Sequence, residues 1–249
     1  NDIYNQNSER FSESILKKLF ILNYAPNGMW NYFLSVYFLQ NKDENNLLDE
    51  IKLDYFLTKT IAFVWAYSFT NSGVNALRTP VYAEMIHIVT GQEVKFADFK
   101  FDENTLETTM KNFEFKNGRP ITKSMLTWWA FTDNEQALPL LNTTFAIEHI
   151  FAKKRQENDK SLTNIKNLEA IGNKVLLEDK INNRFSDKIK YYQGFTNDKG
   201  QFKQGTLIKE LSKLSTSNTD FTEKDIEARN KKIIETFISF LKKNELIKA

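Results

Sequence analysis

The run Phe145-Ala146-Ile147-Glu148-His149-Ile150, answered downstream by Ile171-Gly172-Asn173-Lys174-Val175-Leu176-Leu177, decides how this chain is read. Asn142 to Ile147 is β-branched and alternating, which marks a strand, and Val175-Leu176-Leu177 is a second short apolar run. Between them lies a hydrophilic stretch from Lys153 to Lys166, opened by the basic cluster Lys153-Lys154-Arg155. Glu178 to Tyr192 has the spacing of a helix. Residues 141–192 therefore read as strand, loop, strand, helix. His149 ends the first strand, and asparagines open the second strand and the helix.

Outward from this segment the chain is helical. Phe11, Ile15, Leu16, Leu19 and Phe20 recur at three- and four-residue spacing, an amphipathic helix over Ser8 to Leu22 that the turn Pro26-Asn27-Gly28 closes off. Met29–Leu39 and Leu47–Phe69 are apolar on almost every side and read as buried helices, with a break at Asn71-Ser72-Gly73. Val74–Val89 is a further helix with Gly91 as its stop. Glu93 to Glu114 is more polar, and its phenylalanines at 96, 99, 101, 113 and 115 leave it open between strand and helix. Ile121–Phe131, with Trp128 and Trp129, is another buried helix. Gly194, Gly200 and Gly205 mark a loop, and Thr206–Leu214 and Thr222–Lys243 are closing helices. Aromatic residues on apolar helices read as core rather than as a platform for bases. His87, in Met85-Ile86-His87-Ile88, reads as structural for the same reason. The expected fold is mainly α (α+β): a helical region over 1–135, then a domain over 136–249 with a ββα core at about 141–192 and closing helices within 206–249.

Composition narrows the function. With 34 basic and 32 acidic residues the formal charge is +2, so any nucleic-acid surface has to be local. The absence of cysteine excludes disulfides, thiolate metal sites and a cysteine nucleophile, and fits the cytoplasm. Apolar stretches such as Ile61–Phe69 are far shorter than the ~20 residues that span a bilayer, and no signal peptide or membrane segment is expected. No glycine-rich phosphate loop of the Walker type occurs, so no nucleotide site is expected in this stretch. The chain opens at Asn1 without a methionine, and is expected to be part of something longer.

The set Phe145-Ala-Ile-Glu-His-Ile150, Asn167-Leu-Glu-Ala-Ile-Gly-Asn-Lys-Val-Leu-Leu177, Ile181-Asn182 and Phe185-Ser-Asp-Lys188 resembles the C-terminal nuclease domain of GmrSD-type restriction proteins. The tail Phe221-Thr-Glu-Lys-Asp-Ile-Glu-Ala-Arg229 is similar to the helix closing that domain. Ile121-Thr-Lys-Ser-Met-Leu-Thr-Trp-Trp129 resembles the helical segment ahead of it. These are modification-dependent, type IV restriction systems with a ββα-metal, HNH-like centre. The resemblance implies a metal-dependent endonuclease of phage defence, acting on double-stranded DNA with one Mg²⁺ or Mn²⁺. The family's N-terminal ParB-like nucleotide-hydrolysing domain, with its Asp-Gly-Gln-Gln-Arg motif, does not occur here. Any nucleotide dependence is expected to lie outside this stretch. Ala152 stands where many relatives have proline, a change in loop shape rather than in chemistry.

The resemblance implies a role for each residue. Neutral imidazole suits His149 to take a proton from the attacking water near pH 7. Glu148 and Asn182 are the expected oxygen ligands of the divalent ion, with Asn183 as the alternative to Asn182. Neighbours on a regular strand face opposite ways, so Glu148 and His149 share one site only if the backbone departs from strand geometry. Asn173 is assigned to the catalytic set as the residue that ties the loop to the strand and orients the histidine. It could also be a plain turn asparagine after Gly172. Lys153, Lys154 and Arg155, together with Lys180, Arg184 and Lys188 at helical spacing, are candidate DNA phosphate contacts. The alternative is a catalytically inert DNA-binding or scaffold module on a degenerate HNH fold.

Overall fold

The computed structural model describes residues 7–71, 73, 75–140, 142–182, 189, 192–217 and 220–248, apart from the side chains of Lys180 and Asn182. It is mainly helical, with two small antiparallel two-stranded sheets. No helix among the described residues is long and apolar enough to cross a membrane. Two units divide the chain, 1–112 with 234–249, and 113–233.

The first unit holds α1 (Glu13–Leu22), α2 (Met29–Asn41), α3 (Glu50–Thr70), α4 (Arg78–Val89) and α5 (Glu103–Asn112). It also takes the C-terminal part of α10 (Glu223–Lys243). Helix α1 packs on α3, and α2 on α4. The Asp49 carboxylate caps α3 by accepting the Ile51 and Lys52 N–H groups, which have no partner inside the helix. The aromatic residues are core, as their spacing implies. Phe33, Phe56, Phe63 and Phe96 are buried, and Phe63 stacks on Phe96. The phenylalanine-rich stretch from Glu93 resolves into a short turn at Ala97–Phe99 and then α5. Phe101 forms a parallel bridge with Ile247, which fastens the end of the chain into this unit.

The second unit begins with a turn over 113–119 and α6 (Pro120–Ala130), then β1 (Phe145–His149), α7 (Lys153–Asp159) and 3-10 turns at Ile165–Glu169 and Ile171–Asn173. Strand β2 (Lys174–Glu178), α8 (Asp179–Asn182), the hairpin β3 (Phe195–Thr196) and β4 (Phe202–Lys203), α9 (Lys209–Ser217) and the start of α10 follow. Strands β1 and β2 pair antiparallel from Phe145↔Glu178 to His149↔Lys174. Helix α6 packs on β2.

Three features differ from the sequence reading. The units meet at 112/113 rather than 135/136, because α6 covers β2 and the 113–119 turn hydrogen-bonds into the sheet region. The stretch after His149 holds a helix, α7, and the glycine-marked loop holds a hairpin too short to show periodicity. The helix expected over Glu178–Tyr192 starts one residue later, as α8, because Glu178 ends β2; 183–188, 190 and 191 lie outside the described residues.

The turn Ile171-Gly172-Asn173 is pressed against α10. A Cβ on Gly172 would stand 2.2 Å from the Ile226 carbonyl oxygen and 2.6 Å from the Asn230 nitrogen. The Asn230 side-chain oxygen accepts the Gly172 N–H at 3.3 Å. Buried Arg229 donates to the carbonyls of Ile171, Gly172 and Lys174 at 3.3, 2.9 and 2.8 Å, and its other edge grips Glu210 on α9 at 2.7 and 3.0 Å. Close backbone approach therefore demands glycine here. The Gly172→Ala change is expected to cost at least about 2 kcal/mol, since backbone rather than a flexible side chain has to yield. Chemical denaturation measures it, and an unchanged midpoint would refute the contact.

Candidate active site at the end of β1

His149 ends β1 directly opposite Lys174, the first residue of β2, so the two side chains stand on the same face of the ladder. Lys174 is fully buried. A buried ammonium is tolerated only when its charge and all its N–H groups are answered. Its three N–H groups meet three acceptors: the Glu169 carboxylate at 2.7 Å, the Asn117 side-chain oxygen at 2.9 Å and His149 Nε2 at 2.5 Å. Glu169 comes from the 3-10 turn before β2, and Asn117 from the turn before α6. That turn is anchored twice, by Phe115 N–H on the Glu169 carbonyl at 2.8 Å and by Asn117 Nδ2 on the Ile147 carbonyl at 2.7 Å.

Electrostatics follow from this packing. Burial, with the Lys174 charge beside it, lowers the His149 pKa to about 4, so the imidazole is neutral at pH 7. Its side chain is 9% exposed and so reaches the surface. Burial would raise the Glu169 carboxyl, but hydrogen bonds from Lys153 and Lys174 outweigh it and bring the group down to about 2. Burial also draws Lys174 below the ordinary lysine value, against the opposing pull of Glu169. Lys153, 56% exposed, closes the cluster from outside at 2.8 Å from Glu169.

Asn173 is fully buried and binds backbone on both sides of the loop. It accepts the Phe151 N–H at 2.7 Å and donates to the carbonyls of Phe151 and Leu168 at 3.1 and 3.0 Å. The Asn173 carbonyl takes the Ile150 N–H at 3.0 Å. The chain leaving His149 is thus tied to the turn entering β2.

The remaining candidates are scattered. The ladder is unbroken through Glu148↔Val175 and His149↔Lys174, so Glu148 and His149 face opposite ways, and the carboxylate at the imidazole is Glu169. Helix α8, which carries Asn182, opens at the Glu178 end of β2, the end remote from His149. A cavity of ≈ 460 Å³ lies at that remote end, lined by residues including Thr144, Ile181 and Leu207. The Glu178 carboxylate in its wall is engaged by Thr206 and by the Leu207 N–H. Lys154 is exposed. Arg155 is committed to Asp220, at 2.5 and 2.9 Å, and lies over the Phe151 ring. The side chain of Lys180, and all of Asn183, Arg184 and Lys188, lie outside the described residues. His87 pairs with Glu84 at 3.3 Å, away from this cluster in sequence and within the first unit.

Among the described residues, no group of three or more acidic or imidazole side chains is gathered to hold a metal ion. Both oxygens of Glu169 are occupied by ammonium groups, and a third contact of Lys174 fills His149 Nε2. That donor set does not fit a divalent cation. Glu169, Lys174 and Asn117 were missed in the sequence. No local signal marks them, because a lysine at the head of a strand is read as exposed until its acceptors are known.

Two measurements test this geometry. Asn173→Ala strips three hydrogen bonds from a buried loop, and its unfolding free energy is expected to fall by about 2–3 kcal/mol. The second concerns pH. With a folded value of about 4 against an ordinary 6.5, His149 stabilises the fold fully above pH 6.5 and loses that contribution as pH falls toward 4. The loss is on the order of 3 kcal/mol over the whole window. Glu169, at about 2 against 4.5, weakens the fold only below pH 4.5, so pH 6.5 to 4.5 reports His149. Urea titrations are expected to show a slope there that His149→Gln removes; the same slope in the variant would contradict the burial of a neutral imidazole. In comparisons with protein-family models, curated proteins and solved structures, none matches this chain.

Proposed function

We propose that residues 113–233 form an HNH-type endonuclease that hydrolyses phosphodiester bonds of double-stranded DNA, with His149 as general base. One observation carries the reading. A neutral, surface-reaching imidazole ends a strand, and a buried asparagine, Asn173, holds the loop that leaves it. Hydrolysis needs a base that is unprotonated at pH 7 and held in place, and the low pKa and the fastened loop meet these two conditions; to accept a proton at Nε2 the ring must first be released by Lys174. Lys153 and Lys154, which follow His149 on α7, offer positive charge to a DNA phosphate. The resemblance of the Glu148-His149 and Gly172-Asn173 segments to GmrSD-type nuclease domains supports the same reading. It adds a role in restriction of foreign DNA in the cytoplasm, beside a ParB-like nucleotide-hydrolysing domain.

The described donor set does not fit Mg²⁺ or Mn²⁺, so the role of an ion is a matter for the assay. A second reading, an inert DNA-binding module on the same fold, is favoured by one contact: Lys174 fills the lone pair that a base would use.

Plasmid cleavage separates the two. Wild type and His149→Ala are assayed side by side with Mg²⁺, with Mn²⁺ and with EDTA. The nuclease reading expects cleavage that falls by roughly 10²–10⁴-fold in the variant, at unchanged circular dichroism. Equal cleavage by both proteins would sink it. DNA retention without cleavage in every condition would support the inert module.

A further inference from the structure

Lys174 is a buried cation for which the proposed chemistry has no use, and its geometry constrains His149. An ammonium has three N–H donors and no lone pair. At 2.5 Å from His149 Nε2 it can only donate, so Nε2 carries no hydrogen and the ring proton of the neutral imidazole sits on Nδ1. The competing partner of Nε2 is Glu169 Oε1, which would require a hydrogen on Nε2. That contact is 3.4 Å, and Glu169 Oε1 is already served by Lys153 at 2.8 Å. The other two Lys174 donors are spent on Asn117 and Glu169.

We propose that Lys174 is a positioning residue for His149, an internal cation that fixes the Nδ1–H tautomer and stands where a divalent ion would otherwise reach Nε2. The inference concerns the same imidazole as the proposed nuclease reading. It does not depend on cleavage, and its test is read without DNA. Two cations cannot share one lone pair: while the ammonium donates to Nε2, a metal ion there would meet a lone pair already engaged and a like charge. Glu169 reinforces the exclusion, because each of its oxygens already holds an ammonium.

The chain has two histidines, so ¹⁵N-histidine labelling leaves two ring systems to assign, and His87 serves as the internal control. Long-range ¹H–¹⁵N spectra report which ring nitrogen bears the proton. In the wild type His149 is expected as the Nδ1–H tautomer. In Lys174→Met the proton is expected to shift toward Nε2, where it can donate to Glu169, and in Lys174→Gln, which keeps a donor, it is expected to stay on Nδ1. Titration with Mn²⁺ is the second readout. Selective broadening of the His149 ring is expected in Lys174→Met, where Mn²⁺ binding at Nε2 returns the proton to Nδ1, and absent in the wild type. An Nε2–H tautomer in the wild type, an unchanged tautomer in Lys174→Met, or selective broadening of wild-type His149 by Mn²⁺ would each overturn the proposal. So would a folded Lys174→Met protein whose His149 ring Mn²⁺ leaves sharp. Should Lys174→Met not fold, the wild-type tautomer and the wild-type Mn²⁺ titration still decide it.

Discussion

Burying the Lys174 ammonium organises the second unit. An unanswered charge in that position would cost several kcal/mol, so each of its three donors has to find an acceptor held in place. The acceptors come from three separate stretches: the turn ahead of α6, the end of β1 and the turn ahead of β2. One side chain thereby draws together segments 57, 25 and 5 residues away. His149 is consequently neither a free surface base nor an inert core residue. It is a neutral, largely buried ring whose edge reaches the surface, fixed from behind by a charge.

A second constraint operates on the backbone of the same turn. Gly172 lets α10 approach to backbone contact, and Arg229 on α10 donates to three carbonyls of 171–174. Asn173 then serves the neighbouring groups on the other side. Each residue of 171–174 thus meets a different physical demand, in order apolar burial, close approach, loop fastening and buried charge. Such a density of constraints in one turn explains why its residue types stand out in the sequence.

Charge is distributed unevenly around this centre. Glu169 is paired with both lysines at His149, and Glu148 acts on Lys174 as a further negative charge. Arg155 belongs to the same basic run, but its guanidinium holds the start of α10 through Asp220. Reading the run Lys153-Lys154-Arg155 as one patch therefore merges a structural cation with two candidates for a phosphate.

The sequence by itself determined the elements whose signals are local. Periodic apolar residues set α1, apolar runs set α2, α3 and α6, alternation set β1, and the Gly172-Asn173 pair announced a turn. It also singled out His149, because a polar aromatic at the end of an apolar strand is conspicuous in a chain with two histidines. Tertiary structure alone decided which acid meets the imidazole. Glu148 is its neighbour in sequence, yet strand alternation turns the two apart, and Glu169 arrives through the loop. It alone decided that Lys174 points inward, since a lysine beginning a strand carries no mark of burial until Asn117, Glu169 and His149 converge on it. Periodicity reports which face a residue occupies along one element; it holds no information about what another element brings to that face.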